Sequence, residues 1–345
     1  MMAAVLEKAE HLVIREIDIK EYLSPHDVRI KITNVGICGS DMHYFKHGKI
    51  GPFIVKEPMV LGHEGSGIIT ETGSEVKTLK VGDCVCMEPG IPDNNSVASK
   101  RGIYNLDPDV KFWATPPVHG ILRTSVIHPA EYTYKLPEAV SLEEGALVEP
   151  LAIGVHAATK ACIKPGDIAL VIGAGTIGIV TAFSALAGGC SNVIISDIRS
   201  EKLDIFKSNR EIITINSSKE NLHELVMDLS GGWGADIVFE TSGNKKITET
   251  ILDDICPSGK LVYIGMPADP VYFDIVKAQS REISIITIFR YAHVFPKAIA
   301  LIGSGKIDVN RLITSRFAFK DCAEAFTNQL NPKAQSIKTM IQLTE

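Results

Sequence analysis

The sequence predicts an α/β protein with two domains, one built on a doubly wound parallel sheet and the other of β-barrel type. Up to about residue 150, short alternating apolar runs such as VRIKITNV, GIITET, DCVCME and YTYKLP are separated by Gly and Pro, which is typical of short antiparallel strands. From Pro165 onwards, the apolar strands DIALVIG, NVIISD, ADIVFETSG and KLVYIGM alternate with segments of helical spacing, which indicates a parallel sheet. A length of 345 residues also favours about two domains.

The last sixty or so residues are harder to assign to a domain. The segment ISIITIFRYAHVFPKAIALIGSGKI changes from strand-like to helix-like, and RFAFKDCAEAFTNQL reads as a strand that leads into a helix. Periodicity alone does not place this tail in either domain.

The composition argues against several classes of partner. The chain has 35 Lys+Arg against 41 Asp+Glu and a net charge of -6, so it lacks the basic surplus that binds nucleic acid. No charged segment followed by an apolar one opens the sequence, and the apolar run from Ile168 is broken by glycines, unlike a membrane span. Seven cysteines, an odd number with no CxxC pair, do not form a disulfide framework. We therefore expect a soluble cytoplasmic protein.

A glycine-rich turn predicts a dinucleotide site. Gly173, Gly175 and Gly178 form GAGTIG directly after an apolar strand and at the start of a helix, where backbone N–H groups can bind a pyrophosphate. Asp197 ends the next strand, and a carboxylate there accepts hydrogen bonds from ribose hydroxyls but repels a 2′-phosphate, which favours NAD over NADP. Arg199 and Lys202, which follow Asp197 closely, weaken this preference slightly, because basic residues could tolerate a phosphate.

Cys38, His63 and Glu64 predict a zinc site. His63 and Glu64 lie among glycines in GHEGSG, and Cys38 lies upstream in VGICGSD. A thiolate, an imidazole and a carboxylate suit Zn²⁺, whose catalytic sites hold three protein ligands and leave one position open. Adjacent residues on a strand point to opposite faces, so His63 and Glu64 can share one ion only where the backbone twists or bulges.

Glu149 is the candidate for a fourth group at this site. It lies among apolar residues in ALVEPLAIGVHAA, where a carboxylate is costly unless it is paired or near a metal. The alternatives are a carboxylate at the start of a helix for Glu149 and an ordinary buried histidine for His63.

Motifs along nearly the whole chain resemble those of the zinc-dependent medium-chain dehydrogenase/reductase family, and within it the polyol branch of sorbitol and xylitol dehydrogenases. The resemblance is carried by GICGSD, HYFKHGKIGPFIVKEPMVLGHE, the full GHExxGxxxxxGxxV signature, EPGIP, RGIYNL, ATPP, YKLPEAVSLEEGALVEPL, GAGTIG and IFRY. It implies a GroES-like catalytic domain at 1–151 and 290–345, and an NAD-binding Rossmann domain at 152–289.

The resemblance also implies roles for individual residues. The catalytic zinc would be held by Cys38, His63 and Glu64, with Glu149 close by as a direct ligand or through water. Ser40 would assist proton removal. The substrate pocket would be lined by Tyr44, Phe112, Thr115, Arg290 and Tyr291. The nucleotide would contact Ile177, Gly265, Met266 and Phe289, in addition to the glycine turn.

One departure from the family pattern concerns a second, structural zinc. Many relatives hold this zinc on four cysteines after the EPG motif, but the matching positions here are Asp93, Ser96, Ser99 and Asp107. Aspartate and serine at this spacing are a poor substitute for thiolates. We therefore expect one catalytic zinc per subunit and no structural zinc.

These expectations combine into a hypothesis for the reaction. Zinc lowers the pKa of a polyol hydroxyl, a hydride passes to the nicotinamide of NAD, and a ketose forms, as from xylitol to D-xylulose or from sorbitol to fructose. The alternatives are a zinc dehydrogenase of another secondary alcohol, such as threonine or butanediol, and a crystallin-like structural protein. Relatives are commonly tetramers, so a homotetramer is expected, with the KLVYIGM strand available for subunit pairing.

Overall fold

The computed structural model describes residues 1–267 and 269–343, and its contacts divide the chain into two compact units. The first unit comprises Met1–Glu149 and the C-terminal segment that begins at Phe295, and the second unit is Pro150–Val294. The boundaries therefore lie at 149/150 and 294/295, whereas the sequence placed them at 151/152 and 289/290. Arg290 and Tyr291 consequently belong to the second unit.

Taken in chain order, the strands range from 2 to 10 residues in the first unit and from 4 to 9 residues in the second. They are β1 (Met2–Lys8), β2 (His11–Glu16), β3 (Asp27–Gly36), β4 (Lys49–Ile50), β5 (Phe53–Ile54), β6 (Met59–Val60), β7 (Glu64–Thr72), β8 (Cys84–Met87), β9 (Gly90–Ile91), β10 (Lys111–Phe112), β11 (Ser125–Pro129), β12 (Thr133–Lys135), β13 (Ile168–Ile172), β14 (Asn192–Asp197), β15 (Ile212–Asn216), β16 (Ala235–Glu240), β17 (Ile255–Tyr263), β18 (Ser284–Thr287), β19 (Ile313–Ala318) and β20 (Lys338–Gln342).

The α-helices are α1 (Gly39–His47), α2 (Val97–Lys100), α3 (Leu142–Ala146), α4 (Val148–Ala161), α5 (Thr176–Gly188), α6 (Ser200–Leu203), α7 (Leu222–Leu229), α8 (Ile275–Ser280), α9 (Phe295–Gly303) and α10 (Cys322–Leu330). Short 3₁₀ helices occupy Tyr104–Leu106, Ala130–Tyr132, Asp204–Phe206, Lys245–Glu249, Ile251–Asp254, Asn310–Leu312 and Phe319–Asp321. Within the described residues, no helix is both long enough and apolar enough to cross a bilayer.

The first unit is built on a mixed sheet in which the strands run in the order β12-β8-β7-β3-β20-β19, with β11 also paired to β3. The tail that periodicity could not place thus returns to this sheet: β20 pairs antiparallel with β3, and β19 pairs parallel with β20. Its core contains Ile30, Leu61 and Phe45, whose ring lies 5.3 Å from that of Phe326 on α10. The C-terminal elements are therefore part of the unit that begins at the N-terminus.

The second unit is a parallel sheet with the strand order β15-β14-β13-β16-β17-β18. Its central strand β13 is buried on both sides and pairs with β14 and β16, so the predicted doubly wound α/β fold is confirmed. The KLVYIGM segment lies in β17, which pairs with β16 and β18. This strand is internal, and the outer strand at that edge is β18.

Candidate active site

Cys38 is placed by the start of α1. It is the N-cap residue of that helix, and its backbone N–H donates to Asp41 Oδ2 at 3.0 Å. The other carboxylate oxygen of Asp41 accepts from the N–H of Gly62 at 2.9 Å. Asp41 is buried, so its carboxylate ties the cysteine turn to the GHE turn from within the unit.

His63 lies in the turn that precedes β7. Gly62 has φ +87°, a left-handed conformation that favours glycine, and the strand begins only at Glu64. The strict alternation of strand faces therefore does not apply to His63 and Glu64. His63 Nδ1 lies 3.6 Å from Asp41 Oδ1. Burial alone lowers the pKa of His63, but the charges of Asp41 and Cys38 outweigh burial and hold this pKa well above 6.5. Because that proton must leave before the nitrogen binds a metal, metal binding strengthens as pH rises.

Glu64 lies opposite a glycine on the neighbouring strand. It pairs with Gly36 in the β3–β7 ladder, and a side chain at Gly36 would collide with Glu64 Oε2. The glycine therefore makes room for the carboxylate. Both Glu64 oxygens accept hydrogen bonds from Lys338 Nζ, at 2.8 and 2.7 Å.

The three predicted zinc ligands are brought together. Cys38 Sγ, a His63 ring nitrogen and a Glu64 carboxylate oxygen all lie within 4.8 Å of one another, the one such group of three in residues 1–267 and 269–343. One sulfur, one nitrogen and one oxygen donor, partly or fully buried, fit the donor set of a catalytic zinc site with an open position. Glu149 lies outside this group, in the first turn of α4 and 5% exposed. Its negative charge acts on Lys338 and on Glu88.

The residues expected at the substrate pocket fall in both units. Ser40 and Tyr44 lie on α1, where Tyr44 is buried, and the ring of Phe112 lies 5.7 Å from that of His63. Thr115 is partly buried two residues after Trp113. In the second unit Tyr291 is buried, and Arg290, at φ +54°, places its guanidinium 4.9 Å from the centre of the Phe289 ring. A left-handed backbone at arginine is costly and is typical of functional loops.

A cavity of about 600 Å³ in the first unit was not anticipated from the sequence. It is lined by Pro52, Phe53, Ile54, Val55, Lys56, Glu57, Pro58, Met59, Pro116, Pro117 and His119. Phe53 and Ile54 are half exposed, and most of the lining comes from the segment between Tyr44 and His63. None of the residues expected to bind substrate lines it.

The glycine turn has the conformation that a dinucleotide site needs. Gly173 follows β13 with φ +99°, and Gly175 is the N-cap residue of α5. A side chain at Gly178 would overlap the carbonyl oxygen of Gly173, so the helix can approach the strand only with glycine there. Asp197 Oδ2 accepts from the N–H of Ala174 at 2.7 Å, which places the acid beside the turn.

A cavity of about 360 Å³ lies over this turn. Its lining includes the predicted Gly173, Gly175, Asp197 and Lys202, together with Ile172, Ser196, Ile198, Arg199, Ser217, Thr241, Ser242, Asn244 and Ile247. The other residues expected to contact the nucleotide do not line it: Ile177, Gly178, Gly265, Met266 and Phe289. Gly265 and Met266 instead pack against Gly243, in the loop that supplies Thr241 and Ser242.

The loop after β16 is the part of this site that sequence reasoning missed. Glu240 is fully buried, and its carboxylate accepts from the N–H of Ser242 at 2.8 Å and from that of Gly243 at 3.1 Å. Thr241 Oγ1 donates to the carbonyl oxygen of Ile172 at 2.8 Å. The sequence feature that could have indicated this loop is the acid Glu240, which ends the apolar strand ADIVFE. In the sheet, this strand pairs with β13, which leads into the glycine turn.

The four positions that match a structural zinc site are joined in pairs by hydrogen bonds. Asp107 Oδ2 accepts from the N–H of Asp93 at 2.7 Å, and Ser96 Oγ lies 3.1 Å from Ser99 Oγ while accepting from the N–H of Ser99. The Asp93–Asp107 bond joins the two ends of the segment that follows EPGIP, and the Ser96–Ser99 bonds cap the start of α2.

Glu88, in the EPG motif, has an unusual environment. It is 2% exposed, and its carboxylate accepts from the hydroxyls of Tyr104 at 2.7 Å and Tyr134 at 3.1 Å. Burial, with a contribution from the charge of Glu149, raises its pKa from 4.5 to about 7 against the opposing effect of the two hydroxyls. The folded protein therefore binds this proton more tightly than the unfolded chain.

We expect this group to make stability depend on pH. Its contribution is complete below about pH 4.5 and is lost as pH rises to about 7, a loss of about 3 kcal/mol at 1.36 kcal/mol per pKa unit. Glu88→Gln removes the titration, so the stability of the variant relative to wild type should rise between pH 5 and pH 8. Urea unfolding at both pH values measures this difference, and parallel pH dependences of the two proteins would contradict it.

Comparison with known proteins agrees with both units. Residues 24–138 match the alcohol dehydrogenase GroES-like domain, and residues 176–304 match the zinc-binding dehydrogenase domain. A D-xylulose reductase of Morganella morganii is 56% identical over 333 residues, which cover 96% of this chain and 98% of that protein. A sorbitol dehydrogenase of Arabidopsis thaliana is 42% identical, with 93% of this chain and 90% of that protein covered.

A solved structure resembles the whole chain. The Escherichia coli protein described as an oxidoreductase/dehydrogenase of unknown specificity involved in membrane biogenesis has a TM-score of 0.95 and 34% sequence identity, with 100% of this chain and 99% of that chain covered. One conclusion follows from three observations. The chain is more than 50% identical to a relative that it covers almost completely, both domains match their family models, and Cys38, His63 and Glu64 lie close together. The chain belongs to the polyol branch of the zinc-dependent medium-chain dehydrogenase/reductase family.

Proposed function

We propose that this enzyme oxidises a secondary hydroxyl of a polyol to a ketone and reduces NAD, converting xylitol to D-xylulose or sorbitol to fructose. The observation that carries the proposal is the convergence of Cys38, His63 and Glu64 in a chain that is 56% identical to a D-xylulose reductase. A glutamate, rather than a cysteine, at position 149 supports a polyol over an ethanol-like alcohol.

The residues of the chain divide the work of the reaction. Zinc, held by Cys38, His63 and Glu64, would supply a Lewis acid that makes the substrate hydroxyl more acidic. Ser40, or alternatively a metal-bound water and Glu149, would carry the hydroxyl proton away from the substrate, and NAD, when bound, would supply the hydride acceptor. The reaction is then balanced: the alcohol loses a hydride and a proton, and the products are a ketone, NADH and the released proton.

Substrate and cofactor are held by separate groups. In the second unit, Arg290 would bind neighbouring hydroxyls through charge-assisted hydrogen bonds, and Tyr291 is also proposed to contact substrate. In the first unit, Tyr44 would add a polar contact, and Phe112 and Thr115 are the other residues proposed to contact substrate. The buried position of Glu149, outside the three-ligand group, favours an indirect contact with the metal over direct ligation.

NAD is the proposed cofactor because of the surroundings of Asp197. Its carboxylate lines the cavity over the glycine turn, where it can accept bonds from ribose hydroxyls and would repel a 2′-phosphate. Lys202 and Arg199 also line this cavity, so the discrimination against NADP is expected to be incomplete. Ile177, Gly265, Met266 and Phe289 are proposed to contact the nucleotide as well, although they do not line this cavity.

We also propose one catalytic zinc and no structural zinc per subunit. The residues at 93, 96, 99 and 107 support this stoichiometry, because none of them is a cysteine and two of their side chains, Asp107 and Ser96, accept hydrogen bonds from the backbone N–H groups of Asp93 and Ser99. Metal analysis of the purified protein should give one zinc per chain, and two tightly bound zincs would contradict the proposal.

The function is tested by initial rates on a substrate panel. Xylitol, sorbitol, ribitol, arabinitol, threonine and butanediol are assayed with NAD and with NADP, each with and without a chelator. We expect NAD-dependent oxidation of a polyol that the chelator abolishes and zinc restores. Faster oxidation of threonine or butanediol would identify another secondary-alcohol dehydrogenase, and no reduction of either cofactor would favour a structural protein.

For the assembly, we propose a homotetramer in the cytoplasm. Strand β18 forms the outer edge of the parallel sheet among the described residues, with Ile285 exposed, and Ile275 and Val276 on α8 are exposed as well. Open edges with exposed apolar residues are usually covered by a partner. Free cysteines throughout the described chain suit a reducing compartment. Light scattering is expected to give the mass of four chains, and a monomer would refute this assembly.

A further inference from the structure

Lys338 is a buried cation at the edge of the metal-ligand group. Its side chain is 3% exposed, and Nζ donates to Glu64 Oε1 at 2.8 Å, to Glu64 Oε2 at 2.7 Å and to the carbonyl oxygen of Ile37 at 3.1 Å. An ammonium has three N–H donors, so these three acceptors use all of them. Sequence reasoning did not single out this residue, which lies 274 positions from Glu64.

Three neighbouring strands fix the lysine and the glutamate relative to each other. Gly36 on β3 pairs with Glu64 on β7 at one side and with Met340 on β20 at the other. Lys338 lies two residues before Met340 and therefore on the same face of the sheet. The ion pair is thus held by backbone ladders on both sides.

The position of this charge has a consequence for a metal ion. Glu64 is also almost fully buried, so the pair stands in a poorly screened environment where a nearby charge acts strongly. Each carboxylate oxygen that accepts from Lys338 keeps a second lone pair for a metal. The hydrogen bonds from Lys338 make the two Glu64 oxygens weaker donors to zinc, and the positive charge of the ammonium repels the ion.

We propose that Lys338 is a positioning residue of the zinc site, which holds the Glu64 carboxylate in place and weakens it as a ligand, so that the site is more positive than it would be without the lysine. This inference rests on the proposed zinc site at Cys38, His63 and Glu64. With Zn²⁺, two anionic ligands and a neutral His63, the ligand sphere itself is neutral. Lys338 adds one positive charge on the Glu64 side, which opposes the negative charges of the buried Asp41 and Glu149. A more positive site polarises a substrate hydroxyl more strongly, so Lys338 lowers the affinity for zinc and raises kcat.

The test compares zinc affinity and kinetics in four proteins: wild type, Lys338→Met, Lys338→Gln and Lys338→Arg. Zinc affinity is measured on metal-stripped protein by competition with a chromophoric chelator. We expect both neutral variants to bind zinc at least 10-fold more tightly and to lose at least 10-fold in kcat, with a smaller change in KM. Lys338→Arg keeps the charge and should stay close to wild type in both quantities.

Lys135→Met is the matched control. Lys135 on β12 pairs with the buried Asp83 at 2.7 Å in the same mixed sheet, and neither residue is a metal ligand. This variant should leave zinc affinity unchanged. If the neutral Lys338 variants bind zinc with wild-type or weaker affinity, the inference is wrong, and the lysine only ties β20 to the sheet.

The failure of the proposed zinc site has a different signature. In that case wild-type protein would bind no zinc, or Cys38→Ser would bind zinc as tightly as wild type. If Lys338→Met does not fold, Lys338→Gln, which keeps a hydrogen-bonding side chain, serves as the neutral variant in the comparison of zinc affinity and kcat with wild type.

Discussion

Cys38→Ser is expected to lower zinc affinity by about 100-fold or more and polyol oxidation by about 1000-fold. Four-ligand zinc sites bind with about 10–16 kcal/mol, so the loss of one of three strong ligands costs about 3 kcal/mol or more. A serine hydroxyl is neutral near pH 7 and does not replace a thiolate. The activity falls further than the affinity, because the remaining ligands His63 and Glu64 hold any bound ion in altered geometry.

Cys162→Ser provides the control for this experiment. Cys162 is exposed, lies in the second unit and is not a member of the three-ligand group, so its replacement should leave zinc content and kcat/KM unchanged. Zinc is measured by chelator competition, and kcat/KM by initial rates with a saturating concentration of NAD. Wild-type rates of polyol oxidation by Cys38→Ser would contradict the proposed zinc mechanism.

Gly178→Ala is expected to destabilise the dinucleotide-binding unit and to abolish tight NAD binding. The added methyl group would overlap the carbonyl oxygen of Gly173 and lie 2.8 Å from Thr241 Oγ1, and neither group can move without disturbing the turn. Alanine gains up to about 1 kcal/mol in helix propensity, but overpacking costs about 1–3 kcal/mol or more, and the backbone clash puts this site at the upper end. We expect a net loss of about 2 kcal/mol.

Gly175→Ala separates the fold from cofactor binding in the same motif. No atom lies within 4 Å of a methyl group placed at Gly175, and its φ of -77° suits any residue. This variant should keep the wild-type melting temperature but bind NAD more weakly, because the methyl group faces the cavity where the pyrophosphate approaches. Calorimetric melting and NAD titration measure both effects. Equal melting temperatures for the two variants would contradict the packing role of Gly178.

The dinucleotide turn could be predicted because its requirements are local. Gly173, Gly175 and Gly178 are needed at fixed positions along one strand, turn and helix, and Asp197 ends the next strand. The same holds for the apolar strands of the second unit, whose continuous hydrophobic runs identify a parallel sheet covered on both faces. Local pattern and final structure agree here.

The residues that contact the proposed zinc ligands, Asp41 and Lys338, could not be predicted from a local sequence pattern. Asp41, which contacts both the cysteine and histidine turns, follows Cys38 by three residues and reads in the sequence as an ordinary helix-start acid. Lys338 reads as one lysine in a short strand, and only the pairing of β20 with β3 brings it to Glu64. Burial of these charges depends on partners distant in sequence, which periodicity does not report.

The C-terminal segment shows that the sequence pattern also fails to identify strand partners that are distant in the chain. The changes from strand to helix near residues 287–295 and 318–322 are visible in the sequence, and the structure has β18, α9, β19 and α10 there. The choice of sheet was not visible, because β19 and β20 are short and their partners are decided by long-range pairing.

The discontinuous first unit sets an order for the biosynthesis of this protein. Its sheet needs β20, whereas the second unit is one uninterrupted stretch, Pro150–Val294. As the chain leaves the ribosome, the nucleotide-binding unit can therefore complete its contacts while the N-terminal strands still lack their partners. Glu64 stays without its buried cation until Lys338 has been synthesised. The metal centre is thus among the last parts of the newly made chain to mature, although Cys38, His63 and Glu64 are all among the first residues translated.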